Sequence, residues 1–314
     1  MNRSVPDRLW TILVCPYCGA SLHRSGSVVT CRQCQASYAR AASGALDLRL
    51  QQHRVYPYSF TVGTPVLPEQ RSEFRTLPLR RDPEVDFCNV RVPTHLSREI
   101  MSYFPKAKTE NSLVLDLGCG DTIHREVCEH AGFEYVGLDY ACEEASILGD
   151  AHALPFRDES FEFVLSIAVL EHIRFPFVMM KEACRVLEPN GLFIGTVAFL
   201  EPFHGDSFYH HTCLGTYNSL CEGGFTVETI APSDKWSVLA AQAHMAFFPQ
   251  MPHCVSKALV MPLQGLHKMW WKMARLVSNR ASEERRITST TGAFTFIARR
   301  VARRPGASAG LPAG

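Results

Sequence analysis

The sequence predicts a doubly wound, mostly parallel α/β sheet preceded by a small metal-binding β module, and three observations carry that expectation. The stretch "LVLDLGCGDT" at residues 113 to 122 runs strand-forming apolar residues straight into a turn with two glycines. Strand and helix signals then alternate up to about residue 299, the order expected of a parallel sheet with helices on both faces. Near the N-terminus, four cysteines fall in two Cys-x-x-Cys pairs. A chain of 314 residues can bury one large core and still hold a small satellite module.

The cysteine module comes first, over residues 1 to 50. Cys15, Cys18, Cys31 and Cys34 can bring four thiolates to the corners of a tetrahedron, as a structural zinc ion requires. Gly19 follows the first pair, where a tight knuckle needs a permissive backbone, and "SVVT" supplies a strand leading to the second pair. With every corner taken by a thiolate, no position is left for water or substrate, so the expected role of this zinc is structural. The chain has twelve cysteines, but no apolar export-signal core in its first residues. Thiols and metal ligands are therefore expected in preference to disulfides. With 32 Lys and Arg against 31 Asp and Glu, no overall field draws the chain toward nucleic acid. Nowhere do about 18 uncharged apolar residues run together, so no transmembrane segment is expected and the localisation expected is cytoplasmic.

Residues 51 to 86 are dense in Pro and charge without a clean period, and read as a surface linker. The larger domain is placed at 87 to 301. It opens with "PTHLSREIMSYF", a helix with Leu96, Ile100 and Phe104 on one face. Strands are expected at 112 to 117, 134 to 138, 161 to 167, 191 to 198, 225 to 230 and 293 to 299, with helices at about 122 to 131, 176 to 187 and 213 to 222. In such sheets ligands bind beyond the carboxyl ends of the strands, where the two-glycine turn lies. A dinucleotide turn would read G-x-G-x-x-G, but only Gly118 and Gly120 fit. Asp116 stands two residues before Gly118 and is a poor neighbour for a diphosphate. It suits S-adenosylmethionine, which carries a sulfonium and an amino group. Asp139, at the end of "EYVGLD", can accept from ribose hydroxyls of either nucleoside.

Two resemblances sharpen this reading. Residues 13 to 48, with both knuckles, Tyr38 and the "GALDL" strand, resemble the small zinc-binding activator subunit of certain tRNA and protein methyltransferases. The segments "VLDLGCG", "GDAHALPFRDESFEFVLSIAVLEHI" and "EACRVLEPNGLF" resemble, in order and spacing, the motifs of class I S-adenosylmethionine-dependent methyltransferases of the ubiquinone-biosynthesis type. That resemblance spans roughly residues 90 to 230 and implies a seven-stranded Rossmann-like sheet. It implies that Asp116, Gly118, Cys119 and Gly120 form the turn at the methionine end and that Asp139 takes the ribose. It further implies Asp150 and Ala151 at the adenine edge and Ser166 under the methionine. Two departures stand out. Thr122 replaces the third motif glycine, and "YACEEASILG" between Asp139 and Asp150 is too short for a crossover helix, so a loop is expected to build the adenine wall.

Methyl transfer is an in-line displacement with a good leaving group, so positioning supplies much of the acceleration, and a base is needed only where the acceptor must lose a proton. The candidates are His172 in "LEHI" and His210 and His211 in "EPFHGDSFYHHT", which also holds His204. A metal site from these histidines lacks regular ligand spacing. Residues 236 to 290 form a helical insertion before the last strand. In it Leu263, Leu266, Trp270, Met273 and Val277 share one helical face, with Lys268, Lys272 and Arg275 on another and Trp271 toward the basic side. The apolar face is expected to pack on the domain as a lid over the acceptor pocket, while contact with a lipid surface or a partner stays open. The tail 302 to 314 is expected to be disordered. Three functions compete: methylation of a small molecule at oxygen or nitrogen, methylation of RNA through the zinc module and Arg299, Arg300, Arg303 and Arg304, and a non-catalytic cofactor-binding adaptor. Balanced charge, and a fourth strand ending in "SIAVLEH", favour the small molecule. The sequence sets no oligomeric state.

Overall fold

The computed structural model describes residues 8–26, 28–59, 75–233, 236–278 and 280–301. The cysteine module contributes β1 (Leu22–Ser25), β2 (Val28–Cys31) and β3 (Ser37–Tyr38), a three-stranded sheet in that order with antiparallel pairing, followed by β4 (Leu46–Asp47). The larger part holds α1 (Arg98–Met101), β5 (Leu113–Leu117), α2 (Arg125–His130), β6 (Glu134–Asp139), β7 (Ile147–Leu148), β8 (Phe161–Ile167) and α3 (Pro176–Val186). After these come β9 (Leu187–Ala198), α4 (Cys213–Gly223), β10 (Phe225–Pro232), α5 (Val238–Gln242), α6 (His253–Val277), α7 (Glu283–Thr290) and β11 (Ala293–Arg300).

The main sheet has the order β10-β11-β9-β8-β5-β6-β7-β4. Pairing is parallel from β9 through β4 and antiparallel where β11 inserts between β9 and β10. The fold is thus the doubly wound, Rossmann-like α/β architecture expected, with eight strands instead of seven. The eighth is β4, which leaves the cysteine module and pairs in parallel with β7, Leu46 opposite Ile147 and Asp47 opposite Leu148. Both strands are two residues long, below the length at which periodicity can announce a strand. Alternation along β5 feeds two cores: Leu113, Leu115 and Leu117 face one cluster and Val114 the other. The first cluster also takes in Leu13, Tyr38, Leu46 and Leu48, so the cysteine module and the main sheet share apolar packing.

The linker is not a bystander. Its described part before residue 60 is tied down at both ends: the Tyr17 hydroxyl accepts from the backbone N–H groups of Gln51 and Gln52, each at 2.6 Å, and the Tyr56 hydroxyl donates to Glu182 at 2.6 Å. Between them, Arg54 donates to the carbonyl of Pro16, inside the first Cys-x-x-Cys pair. Residues 60–74, the tail 302–314 and with it Arg303 and Arg304 lie outside the described residues.

The insertion is helical, as expected, but its long helix is turned the other way. The stripe of α6 that meets the body is Ser256, Val260, Gln264, His267, Trp271 and Ala274, all buried or half-buried. Leu263, Leu266, Trp270, Met273 and Val277 all point to solvent, Val277 with 88% of its surface exposed. Periodicity identifies a helix's apolar stripe but not what the stripe faces.

Candidate functional site

A cleft of about 1770 Å³ opens at the carboxyl ends of β5, β6 and β8. One end is walled by Gly118, Asp139, Tyr140, Asp150, Ala151 and His152. The other is walled by His172, Asp206, Phe208, Tyr209 and His211; Ala168 and Val169, the latter packed on Gly118, join the two, and the strap residues Leu50, Arg54, Tyr56 and Tyr58 also line the cleft.

At the first end, Gly118 has φ +77° and its α-carbon lies so close to the Val169 side chain that a β-carbon there would collide with it. Asp139 closes β6. Its Oδ2 accepts from Gly120 N–H at 3.0 Å and its Oδ1 from the N–H groups of Ala141 and Cys142, both at 2.9 Å. A carboxylate offers about four acceptor positions, so three are taken by the backbone and one remains. Asp150 is gripped by His152, whose backbone N–H and Nδ1 lie 2.9 and 2.6 Å from Oδ1. Burial pushes the Asp150 carboxyl up, but these two bonds outweigh it and hold the group below its ordinary value. Nε2 of His152 accepts from Phe175 N–H at 3.1 Å, which places the ring proton on Nδ1.

Not every expected residue reaches the cleft wall. Asp116 is fully buried on the far side of β5, where it accepts from the Tyr135 hydroxyl at 2.6 Å and from His124 Nδ1 at 3.0 Å. His124 Nε2 in turn lies 2.7 Å from Nε2 of His95. Loss of solvent around the His95 ring, together with the neighbouring His124, pushes that imidazole down to about 4. Cys119 is buried against Gly137, and burial raises its thiol far above the ordinary range. Gly120 serves by donating to Asp139. Ser166 is buried inside β8, and Ala168 and Val169 take the wall position assigned to it. Ala168 has φ +55°, a left-handed conformation unusual for alanine that nothing in its sequence signals.

The histidines are distributed unequally. His172 and His204 meet edge to face with ring centroids 5.4 Å apart, and His204 stacks on His210 at 6.4 Å. His172 and His211 line the cleft, whereas His210 is exposed and does not. Burial, and then the nearby His204, lower the His172 imidazole from its usual value. His211 is lowered chiefly by burial, and its Nε2–H donates to the Leu170 carbonyl at 3.3 Å. The two segments are clamped together because the carbonyl of Glu171 accepts from the N–H groups of Phe208 and Tyr209, at 2.7 and 3.2 Å. The Glu171 side chain is fully buried, neither of its oxygens has a hydrogen-bond partner among the described residues, and burial raises its carboxyl. Ligand atoms of Glu171, His172 and His204 all lie within 4.8 Å of one another, a grouping able to hold a cation that regular spacing could not have revealed.

The thiols of Cys15, Cys18, Cys31 and Cys34 also gather within 4.8 Å. Sγ of Cys15 is 3.5 Å from that of Cys34, and Cys18 is 3.4 Å from Cys31. Tetrahedral thiolates on zinc at about 2.3 Å stand about 3.8 Å apart, so the four sulfurs fit that ion with little adjustment. The two knuckles repeat each other. In each the first cysteine's N–H bonds the carbonyl five residues on, Cys15 to Ala20 and Cys31 to Ala36, both at 2.8 Å. The residue between is left-handed in both, Gly19 at φ +73° and Gln35 at +63°.

Residues 115–195 match the family described as "Methyltransferase domain". An uncharacterized methyltransferase of Mycolicibacterium gilvum is 30% identical over 125 residues, 35% of this chain and 49% of that protein. A ubiquinone biosynthesis O-methyltransferase of Cereibacter sphaeroides is 26% identical over 137 residues, covering 39% and 54%. The chain therefore spans about half the length of the curated relatives it matches. Among solved structures, a Haloferax volcanii complex between the Trm112 methyltransferase activator and a methyltransferase shares 18% identity at a TM-score of 0.45, covering 66% of this chain and 90% of that one. The family match falls on β5 through β9, the strands that frame the cleft, so that this part of the chain is similar to a methyltransferase domain.

Proposed function

We propose that the protein transfers a methyl group from S-adenosylmethionine to an oxygen or nitrogen atom of a small-molecule acceptor. The observation that carries this reading is a single cleft with two chemically different ends. One carries Asp139, Asp150 and Ala151, a lining that suits a nucleoside, and the other carries His172 and His211 beside Phe208 and Tyr209. Its volume exceeds the several hundred Å³ that one small ligand needs, leaving room for a second molecule.

When bound, S-adenosylmethionine supplies the electrophilic methyl group. The chain's own part is to hold and orient. The free acceptor position of Asp139 takes a ribose hydroxyl, and Asp150, fixed by His152, stands at the adenine edge with Ala151. His172, lowered below its usual value, is unprotonated near neutral pH and can take a proton from a hydroxyl acceptor. Zinc held by Cys15, Cys18, Cys31 and Cys34 would stiffen the knuckle to which the strap is tied. Methylation of RNA loses support because Arg299 pairs with Glu228 at 2.5 Å and buried Arg300 with Glu159 at 2.7 Å, so neither is a free cation for phosphate. The adaptor reading loses support because the cleft that holds His172 and His211 has room for a second molecule.

Titration calorimetry of the purified protein with S-adenosylhomocysteine tests the reading. Binding at one site per chain is expected, and no heat at any accessible concentration would overturn it.

A further inference from the structure

The outward face of α6 is the feature that methyl transfer leaves unexplained. A surface helix normally turns its apolar stripe to the core. Here α6 is anchored by its other side, through contacts such as Gln264 Nε2 to Ser237 Oγ at 3.2 Å and Ser256 Oγ to His244 Nδ1 at 3.5 Å. Leu259, Leu263, Leu266, Trp270, Met273 and Val277 are left in one exposed row. Phe247 and Met251, just before the helix, are exposed as well. Its 25 residues make a rod of about 37 Å, and a continuous apolar row on that scale is seldom left facing water.

Charge selects the occupant. From Trp236 to Ser282 the sequence has no Asp or Glu, while Lys257, Lys268, Lys272, Arg275 and Arg280 fall in the same stretch of a chain whose net charge is only +1. A second copy has no acid in this segment to offer those cations, so self-association through α6 would leave them unpaired. Among the described residues no helix is long and apolar enough to cross a membrane. Leu, Met and Trp on one side with Lys and Arg on the other is the composition of a helix lying in the plane of an anionic bilayer. Trp270, 65% exposed, is suited to the headgroup level. We propose that α6 docks the protein on an anionic lipid surface, its apolar row inserted at the level of the headgroups and its cations drawn by lipid charge.

The inference is independent of the methyl-transfer reading, and vesicle flotation of the full chain tests it. The protein is expected to float with phosphatidylcholine vesicles containing phosphatidylglycerol and to stay behind with phosphatidylcholine alone. Removing two cations, as Lys268→Ala with Lys272→Ala, should weaken binding about 30-fold, each being worth about 1 kcal/mol near such a surface. Trp270→Glu with Leu266→Glu should abolish binding while leaving the circular dichroism spectrum and melting temperature unchanged, since both residues project from the body. No flotation with anionic vesicles, or flotation unaffected by the glutamates, overturns the proposal. A concentration-dependent dimer in sedimentation equilibrium that the glutamate variant dissolves, in protein that ignores vesicles, overturns it in favour of self-association.

Discussion

Replacing Tyr17 with Phe removes one oxygen atom from the cysteine module and is expected to weaken cofactor binding at a cleft that Tyr17 does not line. Its hydroxyl accepts from the N–H groups of Gln51 and Gln52, both at 2.6 Å. Those two residues lead into the strap that carries Arg54, Tyr56 and Tyr58 to the cleft wall. Arg54 and Tyr56 keep their own anchors, so the strap loosens at one end without leaving. Each lost bond is a neutral one near the surface and sits at the low end of the usual range, about 0.5 kcal/mol. Two together make the ordered strap about 1 kcal/mol less favourable, and a ligand that binds only the ordered form then loses affinity by up to about fivefold. Calorimetry with S-adenosylhomocysteine measures this directly, with zinc content followed by metal analysis on the same samples. A wild type that binds and a variant that binds equally well would refute the coupling. Loss of zinc alongside the change in affinity would trace the effect to a collapsed knuckle instead.

Asp139→Asn keeps the shape of the side chain but turns part of it into a donor facing three backbone N–H groups, so S-adenosylhomocysteine affinity should fall by about 2 kcal/mol, some 30-fold, in the same titration. Unchanged affinity would remove Asp139 from the ribose site. One zinc ion per chain is expected by mass spectrometry of the native protein, and a full equivalent retained by a Cys31→Ser, Cys34→Ser variant would show that the ion sits elsewhere. With a hydroxyl acceptor, turnover should rise with pH and level off at a midpoint below the usual imidazole value, because burial and His204 lower His172 and its unprotonated form is the active one. His172→Ala should lower turnover about 100-fold and flatten that rise while cofactor affinity holds. A profile with the same midpoint in the variant would assign the titration to another group.

Features written within a few consecutive residues were legible in the sequence. The paired cysteines, the strand running into Gly118, and Asp139 at the end of its strand each need only their neighbours to be recognised. Asp116 is expected in the turn at the methionine end, but its side chain is held away from the cleft wall by Tyr135 and His124, which β6 and the turn after Gly120 bring to it. Ser166 is carried over from its place in the resembled motif at the end of the fourth strand, whereas Ala168 reaches the wall through a left-handed backbone that no side chain advertises. The strap was invisible for a different reason. A segment rich in Pro and charge carries no period, and its function depends on docking to Pro16, Tyr17 and Glu182. The face turned outward by α6 was likewise beyond reach, since the sequence states the stripe and only tertiary packing states its direction.

The pairing of β4 with β7 also bears on the order in which the chain can fold as it is made. Leu46 and Asp47 leave the ribosome about a hundred residues before Ile147 and Leu148, so the edge of β4 that faces β7 stays open until β7 appears, while its other edge is already bridged to Arg40 and Ala39. During that interval the exposed edge could pair with another nascent chain. Metal binding to the thiolates needs only residues 15 to 34, all local, and can set the module's shape before any long-range partner exists. Cells starved of zinc should therefore accumulate this protein as aggregate formed during synthesis, even where chains completed earlier remain soluble.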